Sequence, residues 1–145
     1  MKPIKLTIPG NTPSKKTGQR LLTGFVPIKK GAKLFRRVKS PKIMPGTKYG
    51  EWFNANKLEG IPCVSDEECP VNVKMYFVRD SRRKFDYNNV SQSVMDLLKD
   101  RAVIPDDNAY VCKPVYIGFE VDKENPRVDV EIVSMRDDAK KHGGE

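Results

Sequence analysis

Polar and apolar residues alternate from Lys2 to Ile8, with Ile4, Leu6 and Ile8 on one face. A period of two predicts a strand, and Pro9-Gly10-Asn11 ends it. Val71–Val78 alternates in the same way through Val71, Val73, Met75 and Phe77 and predicts another strand. From Asn88 the period becomes helical: Val90, Val94, Leu97, Leu98 and Arg101 recur on one face, with Asn88 or Asn89 as a favourable N-cap. Pro105 stops the helix, and Asp106-Asp107-Asn108 follow as a loop. Pro114–Val121 and Arg127–Val133 predict two more strands, joined by the DKENP turn at 122–126 as a hairpin.

The intervals are less regular. Residues 11–48 are rich in Lys, Arg, Gly and Pro, and predict a long basic loop or irregular ribbon. Residues 49–57 predict a short helix carrying Trp52 and Phe53, and residues 60–70 a loop. Residues 137–145 predict a frayed tail after a single domain over 1–136. Strand, basic loop, strand, helix and hairpin in that order predict an α+β domain with an antiparallel or mixed sheet and one main helix between strands.

Charge changes this picture more than composition does. The net charge is +8, but residues 1–60 hold 14 Lys and Arg against 2 acids, and residues 61–145 hold 13 against 17. A basic half beside an acidic half implies a polyanionic partner held by one region, with carboxylates at work in the other. Phosphate neutralisation would make such binding salt-dependent. A basic protein with no nucleic-acid role, or one that prefers RNA, are the competing readings. The 38% hydrophobic content suffices for one core in 145 residues. No apolar run reaches the roughly 18 residues of a membrane span, and no signal-peptide pattern opens the chain. Three cysteines, an odd count, argue against a disulfide framework and for a reducing, cytoplasmic setting.

The chemistry concentrates in Arg82–Asp107, RRKFDYNNVSQSVMDLLKDRAVIPDD. Asp86 falls at the start of the predicted helix, and Asp106 and Asp107 just after its end. Were the chain to fold back beyond residue 101, these carboxylates would share a site. Their mutual repulsion would be relieved by a divalent cation. On the residues alone, Asp86 is equally a helix cap and Asp106-Asp107 equally a turn.

This stretch resembles the signature of the RusA family of Holliday-junction resolvases. The basic run Arg82-Arg83-Lys84 precedes Asp86-Tyr87-Asn88-Asn89 at a helix start; Asp96-Leu97-Leu98 lies within the helix; Asp106-Asp107 closes the motif. Upstream, Leu6-Thr7-Ile8-Pro9-Gly10 with Pro13-Ser14-Lys15 is similar to the family's opening strand and loop, and the Tyr116–Val133 region to its closing strands. The resemblance implies a RusA-like fold and a Mg²⁺- or Mn²⁺-dependent endodeoxyribonuclease that acts as a homodimer on branched DNA, four-way junctions above all. It further implies recombination or repair as the setting, with no membrane involved. Asp86, Asn88, Asp107 and Asp106 are the implied metal ligands. Asp86, Asp107, Asn88 and Lys84 are the implied catalytic residues.

Two positions depart from the pattern. The family's second motif Asp is Asn88, and its catalytic Lys falls on Gln92. Asn keeps a neutral oxygen donor but removes one charge, and Gln cannot neutralise a phosphate. Lys84, Arg82 or Arg83 are the available substitutes. The Asp-Tyr-x-Asn form resembles a phage-type subgroup of the family, implying phage or prophage origin. The departures support an alternative in which the chain binds branched DNA without cutting it.

The remaining candidates have simpler competing readings. Cys63 and Cys69 could form half a metal site with His142, or be incidental thiols. Tyr49, Trp52 and Phe53 could stack on unpaired bases, or pack in the core. Tyr87 could touch phosphate or pack, and Asp96 could hold a basic side chain.

Overall fold

A computed structural model of the chain describes residues 1–14, 20–30, 33–44 and 47–143. In chain order the elements are β1 (Ile4–Pro9), β2 (Arg20–Lys30), β3 (Lys33–Met44), α1 (Thr47–Ala55), β4 (Val71–Arg79), α2 (Tyr87–Asp100), β5 (Cys112–Val121), β6 (Arg127–Ser134) and α3 (Met135–Gly143). The class is α+β. Four strands form one mixed sheet in the order β1-β6-β4-β5, and β2 and β3 pair with each other as a separate ribbon.

The two sequence periods translate directly into packing. On β4, Val71, Val73, Met75 and Phe77 are buried, while Asn72, Lys74 and Tyr76 between them are partly exposed. On α2, Val90, Val94, Leu97 and Leu98 are at most 1% exposed. Burial of such a side chain contributes about 1.5–3 kcal/mol over leaving it in water. Tyr49 and Trp52 of α1 join this core, which settles them as packing residues rather than stacking platforms. Gly10, at φ +96°, turns the chain out of β1 and donates its N–H to the Pro126 carbonyl at 3.0 Å.

Four expectations are corrected. The C-terminal strands do not form a hairpin. β6 lies between β1 and β4, antiparallel to both, while β5 pairs parallel to β4 on its far side. The sheet is therefore mixed because β4, α2 and β5 form a crossover unit, in which a helix returns the chain to start a parallel strand. The basic loop contains two long antiparallel strands, running from Arg20 opposite Met44 to Lys30 opposite Lys33. Its Lys, Gly and Pro residues mask the β-forming Phe25, Val26, Ile28, Phe35 and Val38. Lys15 and Lys16, singled out with that loop, lie outside the described residues.

The N-cap of α2 is Asp86, not Asn88 or Asn89. Finally, residues 137–143 are not a frayed tail but belong to α3. Asp138 receives Lys74 Nζ at 2.8 Å and Asn72 Nδ2 at 2.7 Å, and Asp137 receives the amino group of Met1 at 3.2 Å. Negative charge in a first helical turn is favourable, and here it also meets partners from remote elements. Among the described residues, no helix is long and apolar enough to cross a membrane.

Candidate functional site

The first half of the site is the N-terminal end of α2. β4 leads into it through Arg79, whose guanidinium lies 4.6 Å over the Phe85 ring. Phe85 packs on Phe77 of β4 and Phe119 of β5, with centroids 6.1 and 5.3 Å away. This anchoring presents the next residue, Asp86, to solvent. Asp86 Oδ1 accepts the Asn88 N–H at 2.8 Å, so it does cap the helix. Its charge also sits at the positive end of the helix dipole. Arg82, Arg83 and Lys84 precede it, all exposed, and Asn88 and Gln92 are exposed on the outer face of α2.

The basic segment is tied to the same end. Ser93 Oγ donates to the Pro13 carbonyl at 2.6 Å, Arg79 Nη1 to the Thr12 carbonyl at 2.5 Å, and the Asp80 N–H to Asn11 Oδ1 at 3.2 Å. Residues 11–14 are thereby held alongside the start of α2, immediately before the lysines of the basic segment begin.

The second half is the C-terminal end of α2. Ala102, at φ +58°, reverses the chain, and the Val103 N–H returns to the Leu98 carbonyl at 2.9 Å. Asp106 then organises a tight polar turn. Its Oδ1 accepts the Asp107 N–H at 2.8 Å and lies 3.2 Å from Lys99 Nζ; its Oδ2 accepts from Asn108 Nδ2 at 3.0 Å. These donors, the Asp107 amide foremost, lower the Asp106 pKa to about 2. Asp106 is thus absorbed in building the turn. Asp107 is held less tightly: Lys99 Nζ is 3.8 Å away, against 3.2 Å for Asp106.

The low pKa has a signed consequence. Asp106 stabilises the turn fully above the unfolded carboxylate value of about 4. That contribution is lost as pH falls through about 2. A carboxyl NMR titration should give Asp106 a midpoint near 2, moving upward in Lys99→Met. A midpoint at the ordinary Asp value would contradict this account of the turn.

The two halves do not meet within one chain. Helix α2 has 14 residues, which at a 1.5 Å rise makes it about 21 Å long. Asp86 caps one end and Asp107 faces Lys99 at the other. The return that would have joined them goes elsewhere: Val103 accepts the Val64 N–H, and β5 starts beside Val71, the first residue of β4. Among the described residues, no group of three or more His, Cys, Asp or Glu side chains is placed to hold a metal ion. The shared site expected from the sequence therefore does not form in a single protomer.

Other candidates resolve simply. Cys63, Cys69 and Cys112 are free thiols, and the side chain of His142 lies outside the described residues. Asp96 accepts the Tyr49 hydroxyl; burial first, then Asp96, pushes the Tyr49 pKa up to about 12. Tyr87 packs against Tyr116 and Phe85. Lys99 was missed by the sequence reading, although a cation in the last helical turn before an acidic loop is a recognisable signal. Compared with models of known protein families the chain matches none, and it matches no curated protein either.

Proposed function

We propose that the chain is a metal-dependent, structure-selective endodeoxyribonuclease that works as a two-fold homodimer on four-way junctions and other branched DNA, in recombination or repair. The observation that carries this reading is the placement of two exposed carboxylates, Asp86 and Asp107, at opposite ends of α2. They lie within a motif that resembles the RusA signature. One protomer cannot bring them to one ion. A two-fold axis perpendicular to α2 would run the partner's α2 in the opposite direction, so that Asp86 could face Asp107 of the partner subunit. Such a dimer has two equivalent sites, matching the two equivalent strands of a junction.

The donor set suits a hard divalent cation, Mg²⁺ or Mn²⁺. Asp86, whose cap uses Oδ1, has Oδ2 left to give. Asn88 adds a neutral oxygen, and the partner subunit's Asp107 a second carboxylate, with Asp106 holding its turn. A bound ion would supply charge neutralisation at the phosphate and orientation of the attacking water. Lys84, with Arg82 and Arg83, stands where a scissile phosphate beside Asp86 would need positive charge. The basic segment from residue 15 to 42 would grip the DNA backbone, which positions the substrate without reading its sequence.

A second reading, binding without cutting, is favoured by Asn88 and Gln92, which leave the α2 N-terminus short of one carboxylate and one cation. A nicking assay on a synthetic four-way junction, with Mg²⁺ and with Mn²⁺, separates the two. The nuclease reading expects metal-dependent product that disappears in Asp107→Asn while junction binding persists. No product from the wild-type chain with either ion sinks it, and product gained only in Asn88→Asp establishes the binding-only reading.

A further inference from the structure

Outside the β2–β3 ribbon, the described large apolar side chains that are exposed gather in one place. Tyr110, Tyr116, Ile117, Phe119 and Val121 are 89, 39, 56, 53 and 41% exposed, and four of the five lie on β5. β5 is also an edge strand: it pairs with β4, and no described strand pairs with its outer side. A ten-residue apolar edge left open templates pairing with another chain. Pro114 is at home on an edge, because it lacks the N–H a central strand would need.

The register of β5 says what kind of strand suits that edge. Cys112 to Tyr116 pair with Val71 to Met75, and Gly118 to Val121 with Tyr76 to Arg79, so Ile117 is an extra residue in a bulge. Without it, Lys113 and Glu120, seven residues apart, would point to opposite faces of the sheet. With it, they share the face away from α2, and both are exposed. Tyr116, Phe119 and Val121 share the other face, beside α2. Counted along the ladder, Lys113 and Glu120 lie equally far on either side of Tyr116. The edge is therefore complementary to itself: a two-fold axis at Tyr116 sets the cation of one copy opposite the anion of the other.

We propose that the outer edge of β5 is the surface through which two copies of this chain associate. They pair antiparallel, with Lys113 opposite Glu120 of the partner subunit and the Tyr116–Phe119 strips of both copies merged. The proposal rests on the dimer invoked for the nuclease reading and gives it a surface. The start of β5 adjoins the Asp106 turn, since the Cys112 N–H bonds the Asn108 carbonyl at 3.1 Å and Cys112 Sγ the Asp106 carbonyl at 3.6 Å. Its far end adjoins Asp86, through Phe119 on Phe85. Antiparallel pairing thus lays the Asp86 end of each copy beside Asp107 of the partner subunit. Two independent features, the split carboxylates and the self-complementary edge, ask for the same operator.

Sedimentation velocity of the full chain at low salt tests this. The wild type should be a dimer. Lys113→Glu and Glu120→Lys should each weaken it on the order of tenfold, because each sets like charges opposite one another. The double variant Lys113→Glu/Glu120→Lys should recover wild-type association. Phe119→Asp should be monomeric with an unchanged far-ultraviolet circular dichroism spectrum. A monomeric wild type, or a dimer indifferent to the single reversals, overturns the proposal, and so does failure of the double reversal to restore what the singles lost. Junction nicking on the same samples keeps the two readings apart. A dimer that obeys the charge swap but never nicks upholds the β5 surface against the nuclease reading. Nicking by a dimer that ignores the swap does the reverse.

Discussion

Mixing two inactive variants should restore activity. On the proposed dimeric nuclease reading, Asp86→Asn and Asp107→Asn should each lose on the order of a hundredfold or more in junction nicking, since each would remove a ligand from both sites of a homodimer. Co-expressed, they form mixed dimers, in which one site joins the intact Asp86 of one subunit to the intact Asp107 of the other. Random association then leaves about a quarter of the sites whole, and nicking should return to about that fraction of wild type. A site built within one protomer predicts no recovery, because neither subunit carries both carboxylates. Product formation in the co-expressed sample, against equal amounts of each parent, reads the difference.

The largest stability effect is expected at Phe77. Its side chain is fully buried, and Phe85, Tyr87 and Tyr116 all pack on its ring. Phe77→Ala removes the floor of that cluster and opens a cavity, at a cost of about 3–5 kcal/mol. Most single domains have only about 5–15 kcal/mol to lose. Denaturant unfolding should show a large drop in midpoint. Tyr110→Ala, at an 89% exposed position, should stay within about 0.5 kcal/mol of wild type. Nicking in Phe77→Ala should fall at least as far as the folded fraction does, because the ring that anchors Phe85 ahead of Asp86 is lost.

What the sequence made legible follows from how local each signal is. The α2 stripe and the β4 alternation are set by neighbours a few residues apart, and both elements lie where their periods put them. The β5–β6 error has a different origin. A five-residue connection looks the same whether it joins adjacent strands or strands with another between them. Two strand spacings are only about 9.6 Å, well within its reach. Only β4, distant in sequence, decides the matter, by lying between them. The α3 helix was hidden for a similar reason: Asp137 and Asp138 read as solvated until Met1 and Lys74 are placed beside them. The carboxylates could be placed from the sequence at the two ends of α2, while their distance from each other could not, because a helix separates its ends as firmly as it aligns a face. Asp86 and the turn at Asp106 each turned out to have the local role that physics alone allowed them, cap and turn organiser. Neither role consumes Asp107.

The β2–β3 ribbon carries a length scale of its own. An eleven-residue antiparallel strand such as β2 extends about 37 Å at 3.4 Å per residue. Duplex DNA advances about 34–36 Å in one helical turn. On the nuclease reading, the ribbon could follow an arm of a branched duplex for a full turn. Pro13, seven residues before the ribbon begins, is bonded to Ser93 of α2. On that reading, the distance from a branch point to a phosphate at Asp86 would be a matter of ribbon length rather than of base sequence.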